Sequence, residues 1–196
     1  MTSKRLLVWI EGAVVAALAI VLSLIPTGIG TSFSVSLGMI PLTIYAMRRG
    51  TLPGIYAGLI WGLLHFLTGQ VYFLSVSQVL IEYLLAFTFA GFAGLYHGKI
   101  AQSVKEGNQR NLLGYIVAAT FVGSLARYFW HFVAGVVFWG AYAFGGMSPF
   151  VFSLVMNGAS GLATAVVTAL VAVGIASKFP QLYLADEKIS PVNQEK

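Results

Sequence analysis

The chain has 196 residues, of which 58% are hydrophobic and only 9% charged, and its mean hydropathy is +0.86. Soluble domains carry about 25% charged residues, so neither a water-facing globule nor a disordered chain fits this composition. The net charge of +5 comes from basic residues scattered singly and in pairs, which in a membrane protein reports orientation rather than nucleic-acid binding. The absence of cysteine excludes disulfide scaffolds, thiolate metal sites and cysteine nucleophiles.

A helix needs about 20 apolar residues to cross the hydrocarbon core, and six stretches qualify or nearly do. The first covers about 6–25 and is stopped by Pro26, Thr27 and Gly28. Its apolar run is long for a signal peptide, it contains Glu11, and no convincing cleavage site follows, so it reads as a retained helix. The second, about 33–47, is short and ends at Arg48, Arg49 and Gly50. The third, about 53–67, starts at Pro53, a residue favoured in a helix's first turn. The fourth covers about 72–96, and a polar connector from Gly98 to Asn111 follows it. The fifth covers about 112–139, the sixth about 149–176, and 177–196 reads as a polar cytoplasmic tail. None of these stretches alternates apolar and polar residues as membrane strands do. The expected architecture is an all-α integral membrane protein, a single domain of six transmembrane helices with both termini cytoplasmic.

Basic residues set the expected orientation. Lys4, Arg5, Arg48, Arg49, Lys99, Lys105, Arg110, Lys178, Lys188 and Lys196 all fall on one side of a six-span chain. The opposite loops, near 26–32, 68–71 and 140–148, have none. The positive-inside rule assigns the basic side to the cytoplasm.

Arg127, the remaining basic residue, lies inside the fifth span. Ionisable groups at that depth cost at least ~2.5–3.5 kcal/mol each and normally face the protein interior. Glu82 in the fourth span, His131 in the fifth and Asn157 in the sixth join it. At 1.5 Å per residue, Glu82, His131 and Asn157 all lie roughly 12–15 Å below the outer boundary. Tyr72 and Trp139 stand at or above that level. A structural polar cluster, in which Glu82 and Arg127 neutralise each other, is one reading. A ligand pocket open to the outside is the favoured one, and a carboxylate with aromatic walls suits a flat, cationic or amino-bearing ligand.

Other signals are weaker. Glu11 is expected to snorkel, His65 and His97 to lie at the surface, and Trp9 and Trp61 to anchor at the interface or contact lipid. Gly158 to Gly161 matches an intramembrane serine-protease string, but no histidine follows Ser160, so it reads as small-residue packing. No phosphate-binding loop or other catalytic constellation is present, and the chain reads as a non-enzyme without a cofactor of its own. Gly12 and Ala16, and likewise Ala13 and Ala17, are small residues four apart on the first helix. They are candidates for close approach by a partner helix.

Taken together, several strings resemble the thiamine-specific S-components of energy-coupling factor transporters. Residues 125–139, with Arg127, Tyr128, Trp130, His131, Gly135 and Trp139, resemble their fifth helix. Residues 75–83 resemble the fourth, and 153–158 the sixth. Arg48, Arg49 and Gly50, with Gly58 to Gly62, resemble the second and third. The likeness extends over nearly the whole chain. It implies that Glu82 hydrogen-bonds an aminopyrimidine, with Asn157 as a second polar contact. It also implies that Trp139 stacks on a ligand ring, His131 lies against the thiazolium, Tyr72 stands near the mouth and Arg127 orients Glu82. Tyr83, Gly135 and Phe152 complete the candidate substrate-binding set. The implied partners are thiamine, a transmembrane coupling protein and two cytoplasmic ATPases that use ATP, besides membrane lipid. An alanine face of the first helix would slide against the coupling protein. Ser32 stands where some relatives carry a stacking tryptophan, with Phe33 as its possible substitute, and Phe152 replaces a tyrosine. An S-component for another heteroaromatic vitamin or precursor, and a stand-alone cation-coupled carrier using Glu82, are the alternatives.

Overall fold

The structure is a computed structural model that describes residues 3–29 and 32–185. Its elements are α1 (Ser3–Ser23), β1 (Gly28–Ile29), β2 (Phe33–Ser34), α2 (Met39–Arg49), α3 (Thr51–Leu67), α4 (Val76–Lys105), α5 (Gln109–Phe138) and α6 (Pro149–Lys178). Short 3-10 turns cover Gly140–Tyr142 and Pro180–Tyr183. Helices α4, α5 and α6, and Arg5–Ser23 within α1, are long and apolar enough to cross a hydrocarbon core, while α3 is apolar but shorter. Large apolar side chains such as Leu18, Phe129 and Leu170 point outward, and alanines at 16, 19, 57, 86 and 90 are fully buried. That inversion is expected in lipid, where close contact between helices, rather than expulsion from water, drives packing.

The tightest seam joins α3 to α4. Gly54, Gly58 and Gly62 recur every four residues along one face of α3. A Cβ at Gly58 or Gly62 would overlap the carbonyl of Phe87 or Tyr83, and one at Gly54 would lie 3.0 Å from the Gly91 Cα. Against this seam α4 changes its winding. It is α-helical over Val76–Val79, a π-helix over Leu80–Leu85, α-helical again over Ala86–Phe89, 3-10 over Ala90–Tyr96 and α-helical over His97–Lys105.

Several boundaries differ from those expected. The second stretch is not helical from residue 33. Residues 28–29 and 33–34 form a small antiparallel hairpin, with Gly28 opposite Ser34 and Ile29 opposite Phe33. Two backbone donors in and just after it are met by α6: the Ser34 amide donates to Ser160 Oγ (3.2 Å) and the Ser36 amide to Thr164 Oγ1 (3.0 Å). The fourth helix starts at Val76 because the Ser75 hydroxyl caps it, accepting from the Gln78 amide at 3.2 Å. Most of the predicted connector after it is helical, to Lys105. Gly107 then turns with φ +65°, and the Asn108 side chain caps α5 through the Asn111 amide at 3.1 Å.

The tail does not begin at 177 either. Helix α6 continues to Lys178, and 179–184 fold back so that Tyr183 is fully buried, its hydroxyl donating to the Ala172 carbonyl at 2.8 Å. The rest of the predicted tail, including Lys188 and Lys196, lies outside the described residues. Glu11 does not simply snorkel. It forms a two-pronged ion pair with Arg49, both bonds at 2.7 Å, and Arg49 also donates to the Ala185 carbonyl at 2.7 Å. His97 is half-buried and linked to the Met47 carbonyl at 3.0 Å. Helix α1, the end of α2, His97 of α4 and the segment after α6 are thereby tied together at one end of the bundle.

On α1, the expected small-residue face divides in two. Gly12 and Ala16 point into the bundle, where a Cβ on Gly12 would meet the Tyr45 hydroxyl at 2.8 Å. They are internal packing residues and not a partner surface. Ala13 is half-buried and Ala17 exposed.

Candidate functional site

At the end of the bundle away from the Glu11–Arg49 pair, the end of α1, the hairpin and helices α3 to α6 line a cavity of about 490 Å³. Small-molecule sites typically span about 300–1,000 Å³. Glu82, Tyr83, Arg127, His131, Trp139 and Asn157 all line it. A second cavity of about 170 Å³ adjoins it and shares Ser32, Glu82, His131, Trp139 and Asn157 while adding Gly135 and Phe152. Of the nine substrate-site residues expected from sequence, only Tyr72 lines neither cavity. It is exposed, with its ring centroid 5.1 Å from that of Trp139.

Glu82 is held from two directions. Gln78, one turn earlier on α4, donates through Nε2 to Oε2, and Trp139 Nε1 donates to Oε1 at 2.9 Å. Gln78 is fully buried, and its own oxygen accepts from the Leu74 amide at 3.1 Å. The π-helix places the consecutive residues Glu82 and Tyr83 on the cavity wall. The Tyr83 hydroxyl accepts from the Tyr72 amide at 2.9 Å, pinning the strand of chain that precedes α4. Across the cavity, Asn157 Nδ2 donates to Ser153 Oγ at 3.1 Å, and Ser153 donates to the Phe132 carbonyl at 2.7 Å. Gly135 makes this arrangement possible, since a Cβ there would overlap Ser153 Oγ and lie 2.9 Å from Asn157 Nδ2.

Arg127 does not orient Glu82. Its guanidinium lies over the rings of Phe87 (4.3 Å), Trp61 (4.8 Å) and Tyr128 (5.3 Å), and its Nε and Nη1 have no hydrogen-bond partner. Aromatic faces stabilise this buried cation through their quadrupoles, and the carboxylate is held by neutral donors instead. Trp61 and His65, expected at the interface and surface, are buried. The Trp61 indole donates to Ser23 Oγ at 3.2 Å, and His65 Nδ1 lies 2.9 Å from the Trp61 carbonyl. His65 is a cavity-lining residue that its position near a helix end concealed, and Gln78, which lines neither cavity, is a missed residue that holds Glu82 from behind. The spacing of Gln78 four before Glu82 was the available signal. His131 is packed between Phe87 and Tyr128, with centroids at 6.1 and 5.5 Å, and its Nε2 has no partner.

Ser32 lines both cavities, whereas Phe33 lines neither. Phe152 is buried against Phe144, centroid to centroid 5.4 Å, and adds an apolar wall to the smaller cavity. Ser160 sits in the cavity wall as the acceptor of the Ser34 amide, and Gly161 gives room to the Tyr128 ring. The Gly158–Gly161 string is therefore packing and loop anchoring. Among the described residues, no cluster of His, Cys, Asp or Glu has the make-up of a metal site.

Comparison with known proteins bears on what this cavity belongs to. Residues 9–184 match the thiamine transporter protein family. The thiamine transporter ThiT of Lacticaseibacillus paracasei is 39% identical over 188 residues, 94% of each chain. ThiT of Bacillus subtilis is 30% identical over 94% of this chain and 98% of its own. A solved structure of ThiT from Listeria monocytogenes superposes with a TM-score of 0.91 at 47% identity, covering 93% of this chain and all of that one. Family match, identity and fold agree over almost the full length, and the chain is a bacterial multi-pass membrane protein belonging to the thiamine transporter protein family.

Proposed function

We propose that the protein captures thiamine from outside the cell and delivers it inward as the substrate-binding subunit of an ATP-driven energy-coupling factor complex. The observation that carries this reading is the Glu82 carboxylate, fixed by Gln78 and Trp139 on the wall of an aromatic-lined cavity. An ionised carboxylate offers about four lone-pair directions, and two are used by the protein. The others can accept from the amino N–H of an aminopyrimidine, while the negative charge offsets a thiazolium. Asn157 and His131 supply further polar groups on the same walls. Biotin, with a carboxylate of its own, is disfavoured by Glu82.

Membership of a thiamine transporter family and the lack of an energy-converting motif support dependence on partners. Self-sufficient carriers usually rock two large repeats about a midplane site, and here one small bundle holds the site near one end. The cluster of basic residues at the opposite end supports an outward-facing cavity. A coupling membrane protein and two cytoplasmic ATPases then supply the movement.

Titration of the detergent-purified protein with a vitamin panel, followed by tryptophan fluorescence, tests the ligand. Thiamine is expected to saturate at the lowest concentration, ahead of riboflavin and biotin. Equal or tighter binding of another vitamin would reassign the substrate. Reconstitution tests the coupling: thiamine accumulation by the subunit alone, without ATPase modules, would instead support a cation-coupled carrier.

A further inference from the structure

A separate concavity of about 440 Å³ opens on the outward, apolar side of the bundle between α1 and α2. Ile10, Val14 and Val15 form one wall, and Pro41 and Ile44 the other. Val14 is 64% exposed and Ile10 52%, so the groove lies open to its surroundings. One end is polar, with Arg48, Glu11 and Leu182. Glu11 is neutralised there by Arg49. Arg48 has no carboxylate within ion-pair reach among the described residues. Its one hydrogen bond is a long 3.3 Å contact from Nη1 to the Leu182 carbonyl, and its Nε is buried with no partner. The groove thus combines an apolar trough with a cation at its rim that pairs with no carboxylate among the described residues.

We infer that this groove binds an anionic phospholipid, with an acyl chain along Ile10, Val14 and Ile44 and the phosphate at Arg48. Charge and location both select this occupant. A guanidinium pairs with a phosphate through paired, charge-assisted hydrogen bonds. Arg48 belongs to the basic end of the chain, which the positive-inside rule assigns to the cytoplasmic leaflet, where anionic lipids gather around basic pockets between helices. The groove adjoins the Ala13–Ala17 face without including it: at 3.6 residues per turn, Ile10 lies about 40° and Val14 about 80° around α1 from the line of those alanines, and Val15 on the far side.

Native mass spectrometry of the intact protein, exchanged into neutral detergent with added phosphatidylglycerol or phosphatidylcholine, tests the assignment. The expected result is selective retention of phosphatidylglycerol, reduced at least tenfold in Arg48→Gln and unchanged in the control Lys178→Gln. Val14→Trp fills the trough without touching Arg48 and should lower retention as well, which guards against a folding defect confined to the arginine variant. Equal retention of the two lipids, or undiminished phosphatidylglycerol in Arg48→Gln, would overturn the proposal. So would glycerol phosphate competing as well as the whole lipid, which would make the site one for a free anion. Retention unchanged in Val14→Trp together with failed assembly of the transport complex would assign the groove to a partner helix instead.

Discussion

Glu82 faces the cavity with one hydrogen bond from a side chain on its own helix and another from the end of α5. Replacing it by glutamine keeps the shape and removes the charge. Glu82→Gln is therefore expected to weaken thiamine binding by about 1.5–3 kcal/mol, the scale of a hydrogen bond to a charged group, with unfolding little changed. Affinity measured by calorimetry checks this, and wild-type affinity in the variant would take Glu82 out of the site. Trp139 has two separable uses, a ring face and an N–H donor. Trp139→Phe keeps a face and loses the donor, and is expected to cost roughly 0.5–1.5 kcal/mol. Trp139→Ala should lose more, together with most of the fluorescence quench. If quenching persists in the alanine variant, the stacking wall is elsewhere in the cavity. Glu82, His131, Arg127 and Asn157 were legible in the sequence because polar groups at membrane depth are expensive and few. The partners of those groups were less so. Arg127 and Glu82 look like a natural ion pair on paper, and only the packing of Phe87, Trp61 and Tyr128 around the guanidinium reveals a cation satisfied by rings.

At the scale of elements, α4 carries the site and its shape is set by α3. The glycine at 62 lets the Tyr83 carbonyl approach so closely that no Cβ fits between them. The neighbouring π-helix, Leu80–Leu85, holds Glu82 and Tyr83, and wide turns of this kind are frequent at functional sites. Gly62→Ala is expected to destabilise the fold by about 1–3 kcal/mol, the usual cost of overpacking, and to lower thiamine affinity through displacement of α4. Gly174→Ala is the control, because nothing lies within 4 Å of a Cβ there; it should be neutral or stabilising, alanine being the better helix former. Thermal unfolding with and without thiamine measures both effects, and a Gly62→Ala variant as stable as Gly174→Ala would remove the seam as a determinant. Apolar runs and stop signals were enough to find six helical stretches in the sequence. They did not separate the β1–β2 hairpin from α2, because Phe33 to Gly38 is apolar or small throughout and its backbone partners, Ser160 and Thr164, lie more than a hundred residues away. The winding of α4 left no local signal either, since it depends on glycines of another helix. The buried turn at Pro180–Tyr183 escaped for a similar reason: Tyr183 finds its acceptor on α6.

For the molecule as a whole, the layout separates binding from movement. The cavity is built by the hairpin, α3 to α6 and the last turn of α1 with the segment after it (Leu22, Ser23 and residues 25–27), whereas the rest of α1 lends its inner face, Gly12, Ala16 and Ala19, to the bundle and turns Ala17 outward. A surface of small residues lets a second helix approach to backbone distance, where dispersion and weak polar contacts accumulate without help from the hydrophobic effect. If the proposed coupling protein docks there, a bulky side chain at the exposed position should block docking and leave the cavity intact. Ala17→Trp is accordingly expected to bind thiamine in detergent within about twofold of wild type, a difference of ~0.4 kcal/mol. In the complete complex it should abolish ATP-dependent uptake. Gly12→Trp behaves differently, because its side chain would be driven into Tyr45 and Tyr56; it should lose stability first and binding with it. Paired measurements of thiamine affinity and of uptake in proteoliposomes separate the two faces. Normal uptake by Ala17→Trp would move the docking surface off α1, and loss of binding in Ala17→Trp would mean that this face, too, packs within the bundle.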